Sequence, residues 1–182
     1  MKKEKLKKQK DKKNTGLGVK TFDVLTPLPA LRLQRKGRRQ ECLQEKRRSC
    51  CRIIDANLNR CREGLRVVED CLRYVLDDTV LYKKTRAVRH ETDKILRDRY
   101  AELIKERDII SDGGRRLPET DSKNLSQIII SNFKRAQESL RVLEEYSKTV
   151  FPKAAQEFKK QRYAAYDLEK AVYLKYKTPA DF

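Results

Sequence analysis

The feature that most constrains this chain is a stretch that occurs twice. Residues 53–76, IIDANLNRCREGLRVVEDCLRYVL, return 75 residues later in diverged form as IIISNFKRAQESLRVLEEYSKTVF. Aligning 52–76 with 127–151 gives ten identities in twenty-five positions, and half of them are polar: Asn57/Asn132, Arg60/Arg135, Glu63/Glu138, Arg66/Arg141 and Glu69/Glu144. Any fold for this chain must therefore house one unit twice and give a purpose to a shared set of charges.

In the first copy Ile54, Leu58, Cys61, Leu65, Val68, Leu72 and Val75 alternate spacings of four and three, the stripe of an amphipathic helix. Ile129, Phe133, Ala136, Leu140, Leu143 and Val150 repeat it. The polar row recurs every third residue. Each step of three turns about 60° backward around a helix of about 3.6 residues per turn, so the row winds from one edge of the stripe, round the back, to the other. Asn57 and Glu69 then border the core, while Arg60, Glu63 and Arg66 lie on the side usually given to water. One reading is a ladder of weak i,i+3 and i,i+4 ion pairs. The other is a second, ligand-facing side. Outward neighbours Asn59, Arg62 and Arg73 became Lys134, Gln137 and Lys148 while the row kept its identity, which favours the second reading and places Arg66 and Arg141 in a site.

Asp77, Asp78 and Thr79 mark a break and supply an N-cap for a second helix over roughly 79–104. In the second copy the break is Phe151-Pro152, with proline suited to a first helical turn. The following helices match at an offset of 76, where Lys84, Arg86, His90, Glu91 and Lys94 stand opposite Lys160, Arg162, Tyr166, Asp167 and Lys170. The expected fold is all-α: two helical hairpins, neither able to bury its stripe alone, packed as a four-helix assembly with pseudo-two-fold symmetry.

The formal charge of +18 is uneven. Residues 1–50 hold 17 Lys+Arg and 5 Asp+Glu (+12), leaving 28 and 22 (+6) for residues 51–182. The expected organisation is a basic, largely disordered extension over 1–50, a folded domain over 51–177 and a short tail over 178–182. Residues 1–20 have almost no apolar content, and whether 32–48 extend the first helix is left open. TFDVLTPLPALRL is cut by Asp23, Pro27 and Pro29, so it is no secretory signal, and no stretch is long enough to span a membrane. Nucleic acid is an expected partner only through the basic extension. The five cysteines lack zinc-site spacing and read as reduced thiols of a cytoplasmic protein.

Two further features are candidates for chemistry. His90 is the only histidine. The loop Asp112-Gly113-Gly114-Arg115-Arg116 offers backbone amides beside two guanidiniums, a fair anion site, although it lacks the G-K-[ST] of a P-loop.

RIIDANLNRCREGLRVVED, the later RH, the loop RDIISDGG and SNFKRAQESLRVLEEY together resemble the small helical domain found alone or fused to the N-terminus of thiamine-phosphate synthase. That domain is a hydroxymethylpyrimidine-phosphate kinase unrelated to the ribokinase-like enzyme for the same step. The resemblance covers about 52–175, with Cys61 in place of the usual alanine and Gly113 in place of a branched residue. A chain of this length has no room for a (β/α)₈ barrel beside the helices. The resemblance implies ATP-dependent phosphorylation of hydroxymethylpyrimidine phosphate to its diphosphate with Mg²⁺, and a functional association with thiamine-phosphate synthase. A homodimer with shared sites is left open.

The acceptor is already anionic, so the demands are to bring polyanions together and neutralise the transferred group. Arg60, Arg66, Arg89, Arg107, Arg135 and Arg141 supply guanidiniums for this. Glu63, Glu69, Glu138 and Glu144 are expected to hold Mg²⁺ or orient the arginines. Asn57, Asn132, His90, Asp112 and Gly114 are the expected substrate contacts. Two rival readings stand beside this one: a mutase-like bundle acting on a small dicarboxylate, and a basic nucleic-acid-binding module. The second is weakened by the lack of interleaved aromatic and basic residues in the folded part.

Overall fold

The computed structural model describes residues 28–110, 112–116 and 124–176, with side chains from residue 35 onward except those of Arg115 and Arg116. The tail expected over 178–182 and the disorder expected over 1–20 fall outside the described residues. Contacts divide the chain into two units, 1–38 and 39–182; the account below concerns the second.

Helix α1 spans Leu28–Tyr74, α2 Thr79–Lys94, α3 Tyr100–Lys105, α4 Leu125–Val150 and α5 Pro152–Lys175. Single 3₁₀ turns lie at Arg97–Arg99 and Gly113–Arg116. The fold is all-α, with no strand among the described residues. Helix α1 is continuous through residue 50, where the sequence placed a boundary. It ends at Tyr74, so Val75, read as part of the stripe, is instead 54% exposed beyond the helix.

The core explains the order of the elements. Cys51, Ile54, Cys61 and Leu65 of α1 pack with Ala136, Leu140 and Leu143 of α4, whereas Val68, Cys71 and Leu72 pack with Ile129 and Phe133. The N-terminal half of one repeat thus meets the C-terminal half of the other, and α1 and α4 run antiparallel. Helix α5 packs on α4 and α2 on α5, burying Phe158, Ala165, Leu168 and Val172. Helices α1 and α4 approach closely at Gly64, where a Cβ would stand 2.8 Å from the Asn132 carbonyl oxygen and 3.5 Å from the Ala136 amide nitrogen. Only a residue without a side chain allows the two backbones this near.

Each repeat helix sends one glutamate into the bundle. Glu69 is 1% exposed and accepts from Arg89 Nε at 2.7 Å. Glu144 is 5% exposed and accepts from Arg162 Nε and Nη2 at 3.0 and 2.9 Å. These arginines are 73 residues apart, not 76. The buried positions agree, since Leu81, Thr85 and Thr92 match Ala154, Phe158 and Ala165 at the same offset. The exposed charges that align at 76 are therefore one turn out of step with the packing.

The second helix also stops earlier than its pattern suggests. No proline or glycine lies between Lys94 and Tyr100, yet the chain turns at Leu96 (φ −122°, ψ 26°). The reason is tertiary. The turn lays α3 beside α1, where Leu103 is 2% exposed, Arg47 donates to Glu102 at 2.6 Å and Arg107 reaches Asp55.

Asp78 joins the start of α2 to the end of α5. It caps α2 by accepting from the Val80 and Leu81 amides at 3.1 and 3.0 Å, and it accepts from Lys175 Nζ at 2.6 Å and Tyr176 Oη at 3.0 Å near the end of α5. Burial pushes its carboxyl up, but the Leu81 amide and then Lys175 and Tyr176 outweigh burial and hold it below the ordinary value.

Two outcomes follow. Gly64→Ala would favour an isolated helix by about 1 kcal/mol, but the clash here is with backbone, so the substitution should destabilise by about 1–3 kcal/mol in urea titration. Asp78→Ala should cost about 1–2 kcal/mol. Because the folded carboxyl titrates below its unfolded value, the stabilisation from Asp78 is complete above about pH 4 and is lost as pH falls through the lower folded value. Parent and Asp78→Ala melting curves should converge in that acid window and stay apart at neutral pH.

Candidate functional site

A cleft of about 910 Å³ opens where residues 49–63 of α1 lie beside Arg135, Val142 and Tyr146 of α4, with the segment after α3 as its third wall. Helix α1 contributes Arg52, Asp55, Asn57, Asn59, Arg60 and Glu63; α4 contributes Arg135, Val142 and Tyr146; the segment contributes Arg107, Asp108, Asp112 and Gly113. The helical row explains the first set. Residues 52, 56, 59, 60 and 63 share the face of α1 that the Gly64 crossing leaves uncovered, and the antiparallel pairing brings Arg135 to the same opening.

The charges differ in how firmly they are held. Asp55 is 6% exposed and takes a two-pronged contact from Arg107, Nε to Oδ2 at 2.6 Å and Nη2 to Oδ1 at 2.7 Å. That hydrogen bond raises the already high pKa of Arg107, against a smaller opposing effect of burial. Arg52 stands 3.5 Å from Asp108, and Arg135 only 3.6 Å from Glu63, with both side chains of the latter pair largely exposed. Arg60 has no ion-pair partner among the described residues, and Asp112 accepts from the Gly114 amide at 2.9 Å. Of these guanidiniums Arg107 is locked, Arg52 and Arg135 are paired at longer range, and Arg60 is without an ion pair among the described residues.

Of the residues singled out from sequence, Asn57, Arg60, Glu63, Arg107, Arg135 and Asp112 meet in this cleft. Asn57 and Asn132 spend one amide donor each on the carbonyls of Ile53 and Ile128, both at 2.8 Å, and Asn132 lies at the crossing rather than in the cleft. Gly114 neighbours the lining. The remainder lie elsewhere. Arg66 donates to Asp70 at 3.0 Å and to Glu69 at 3.4 Å, and Arg141 stands 3.1 and 2.9 Å from Glu144 and Glu145. Both arginines are half exposed, in the ladder geometry of i,i+3 and i,i+4 pairs. Arg89 is committed to Glu69 and lies 3.4 Å from His90 Nε2. Glu138 is exposed outside the lining.

Asp55 is the residue that sequence reasoning missed. Its counterpart in the second copy is Ile130, so a search for polar residues kept in both copies discards it. The available signal was the reverse: an acid in an otherwise apolar IID/III run. Cys51, Cys61 and Cys71 are buried, and burial pushes the Cys61 thiol up to about 12.

A divalent cation would find two kinds of carboxylate here. Glu69 and Glu144 are each engaged by two guanidiniums, which does not fit a metal ligand. Glu63 and Asp112 line the cleft without a tight clamp. Among the described residues no three acids, cysteines or histidines gather into a cluster of their own.

Glu69→Ala should cost about 3 kcal/mol, because it strands Arg89 beside the core, and differential scanning calorimetry should show a large drop in melting temperature. Arg66→Ala should melt close to the parent.

No helix among the described residues is long and apolar enough to cross a membrane. Among curated proteins the chain is similar to thiamine-phosphate synthase from Nostoc punctiforme, 40% identical over 121 residues, covering 65% of this chain and 34% of that protein. It is 39% identical over 118 residues to thiamine-phosphate synthase from Synechococcus sp. strain CC9605, with the same coverage of each, and 36% identical over 124 residues to that of Rhodopirellula baltica. The chain spans about a third of the length of these relatives. No solved structure matches it. A family model matches residues 52–171, two thirds of the chain and all of the cleft lining except Ser49, and the protein belongs to the ThiD2 family.

Proposed function

We propose that this protein acts in thiamine biosynthesis as an ATP-dependent kinase converting hydroxymethylpyrimidine phosphate to the diphosphate. Family membership and the thiamine-phosphate synthase relatives support the pathway. The observation that carries the reaction type is the charge pattern of the cleft: Arg52, Arg60, Arg107 and Arg135 share it with Asp55, Glu63, Asp108 and Asp112. Four acids oppose a bare dianion as much as four arginines attract it, which disfavours a small dicarboxylate. A Mg²⁺-bound polyphosphate presents both signs and suits both sets.

The roles follow from how each group is held. Arg107, fixed by Asp55, provides a rigid fork for phosphate oxygens. Arg60 needs to break no contact before meeting an anion, and Arg135 has only a loose exposed pair with Glu63 to exchange. These two are suited to the transferred phosphoryl group, whose charge is spread over its oxygens during transfer. Glu63 and Asp112 would hold Mg²⁺, which supplies charge neutralisation. The acceptor phosphate is already ionised, so no strong base is required of the protein.

Arg60→Ala should lower kcat/KM for ADP release by about 10²-fold, near 3 kcal/mol on the transition-state scale, while leaving the melting temperature unchanged. Arg60→Lys should restore little, since an ammonium lacks the two-pronged contact. Normal turnover by Arg60→Ala would remove the cleft from the reaction. Absence of pyrimidine-phosphate-dependent ADP release from the parent protein would reject the kinase reading itself.

A further inference from the structure

Behind Asp55 lies a second cavity of about 240 Å³, lined by Leu58, Leu96, Leu103, Tyr100, Asn59 and Asp55, with Arg62, Asp93 and Arg97 at its rim. Asp55 and Asn59 line both spaces, so the two adjoin. Resting on the kinase reading above, we propose that this cavity is a base subsite, taking a single amino-bearing heteroaromatic ring while the large cleft takes the phosphates.

Size is the first argument. A cavity of about 150 Å³ suffices for benzene, whereas drug-sized ligands occupy about 300 Å³ or more, so 240 Å³ suits one substituted ring and not a nucleoside. Polarity is the second. Leu96 and Leu103 are 4% and 2% exposed and supply an apolar floor for a ring face, with the Tyr100 ring available for stacking. Asn59 offers a donor and an acceptor at the edge. The buried Asp55 carboxylate keeps one lone pair on each oxygen beyond those used by Arg107, an acceptor for an exocyclic amine. Charge is the third. Arg62 and Arg97 stand 3.4 and 3.6 Å from the same carboxylate, Asp93, and with Asp55 on the wall the two arginines and two aspartates of the lining carry no net charge, which suits a neutral ring. Asp55 therefore does two things at once, holding Arg107 on the phosphate side and facing the ring on the other.

The substrate's own halves can test this. The unphosphorylated alcohol, 4-amino-5-hydroxymethyl-2-methylpyrimidine, is titrated into isotope-labelled full-length protein and followed by amide NMR, with inorganic triphosphate plus Mg²⁺ in a parallel titration. The expected result is that the alcohol shifts the amides around Leu96, Tyr100 and Leu103, and triphosphate shifts those around Arg60 and Arg135. Tyr100→Ala, at a position 55% exposed, should weaken the alcohol's binding about tenfold and raise KM for the pyrimidine phosphate alone, leaving KM for ATP and the melting temperature unchanged; Tyr100→Phe should behave as the parent. If the alcohol binds but shifts only the large cleft, or if Tyr100→Ala leaves its affinity intact, the subsite is refuted while the kinase reading stands. If the pyrimidine phosphate is neither bound nor phosphorylated, both fall.

Discussion

The contact between the Gly64 backbone and the Asn132 carbonyl sets the rest of the structure. Because two helices can come this close only where one lacks a side chain, the crossing fixes how α1 and α4 are aligned along their lengths. That alignment puts Arg135 beside Glu63 and the C-terminal half of α4 beside residues 49–60. The cleft is the space left on the open side of the crossing. The two core clusters fill the other side, with α2 and α5 laid over them. Position 64 is Gly and its repeat counterpart is Ser139, buried at 3%, so both copies keep a small residue at the seam.

From that geometry one row of charges acquires two uses. Residues early in the row, Asn57, Arg60 and Glu63, face the cleft. Later in the row Arg66 stays at the surface, and Glu69 turns inward to Arg89 of α2. The second copy repeats the inward half through Glu144 and Arg162, but contributes only Arg135 of its early half to the cleft. A buried glutamate deprived of its arginine costs several kcal/mol, whereas an exposed pair contributes little. The same residue type at the same spacing thus serves stability at one end and is free for ligand at the other.

This division explains what could be read from the sequence. The all-α class and most of the buried stripes follow from local periodicity, the two breaks from the Asp78 cap and Pro152 at the start of α5, and Asn57 and Glu69 lie at the core edge where a 3.6-residue period puts them. What periodicity cannot reveal is a contact between distant segments. Arg66 and Arg60 are indistinguishable by pattern, and only the third wall, brought in by the turn at Leu96, makes one a cleft residue and leaves the other in a surface ladder. Asp55 was hidden because the repeat compares it with Ile130, although its partner Arg107 lies outside the repeat altogether. The alignment of the second helices slipped by one turn because exposed lysines and arginines are frequent enough to match by chance, while the buried Thr85/Phe158 pair carries the true register without any identity.

In the proposed reaction a phosphate of the acceptor and the terminal phosphate of a nucleotide are held together in the cleft by Arg60, Arg107 and Arg135. Phosphorus NMR of the protein with ATP, Mg²⁺ and hydroxymethylpyrimidine phosphate tests this most directly, since it observes the new P–O–P linkage. The expected result is loss of the pyrimidine monophosphate signal, growth of two coupled pyrimidine-diphosphate resonances beside those of ADP, and ADP in stoichiometric amount. ADP appearing with free phosphate and no pyrimidine diphosphate, or ATP left unchanged, would contradict the kinase reading.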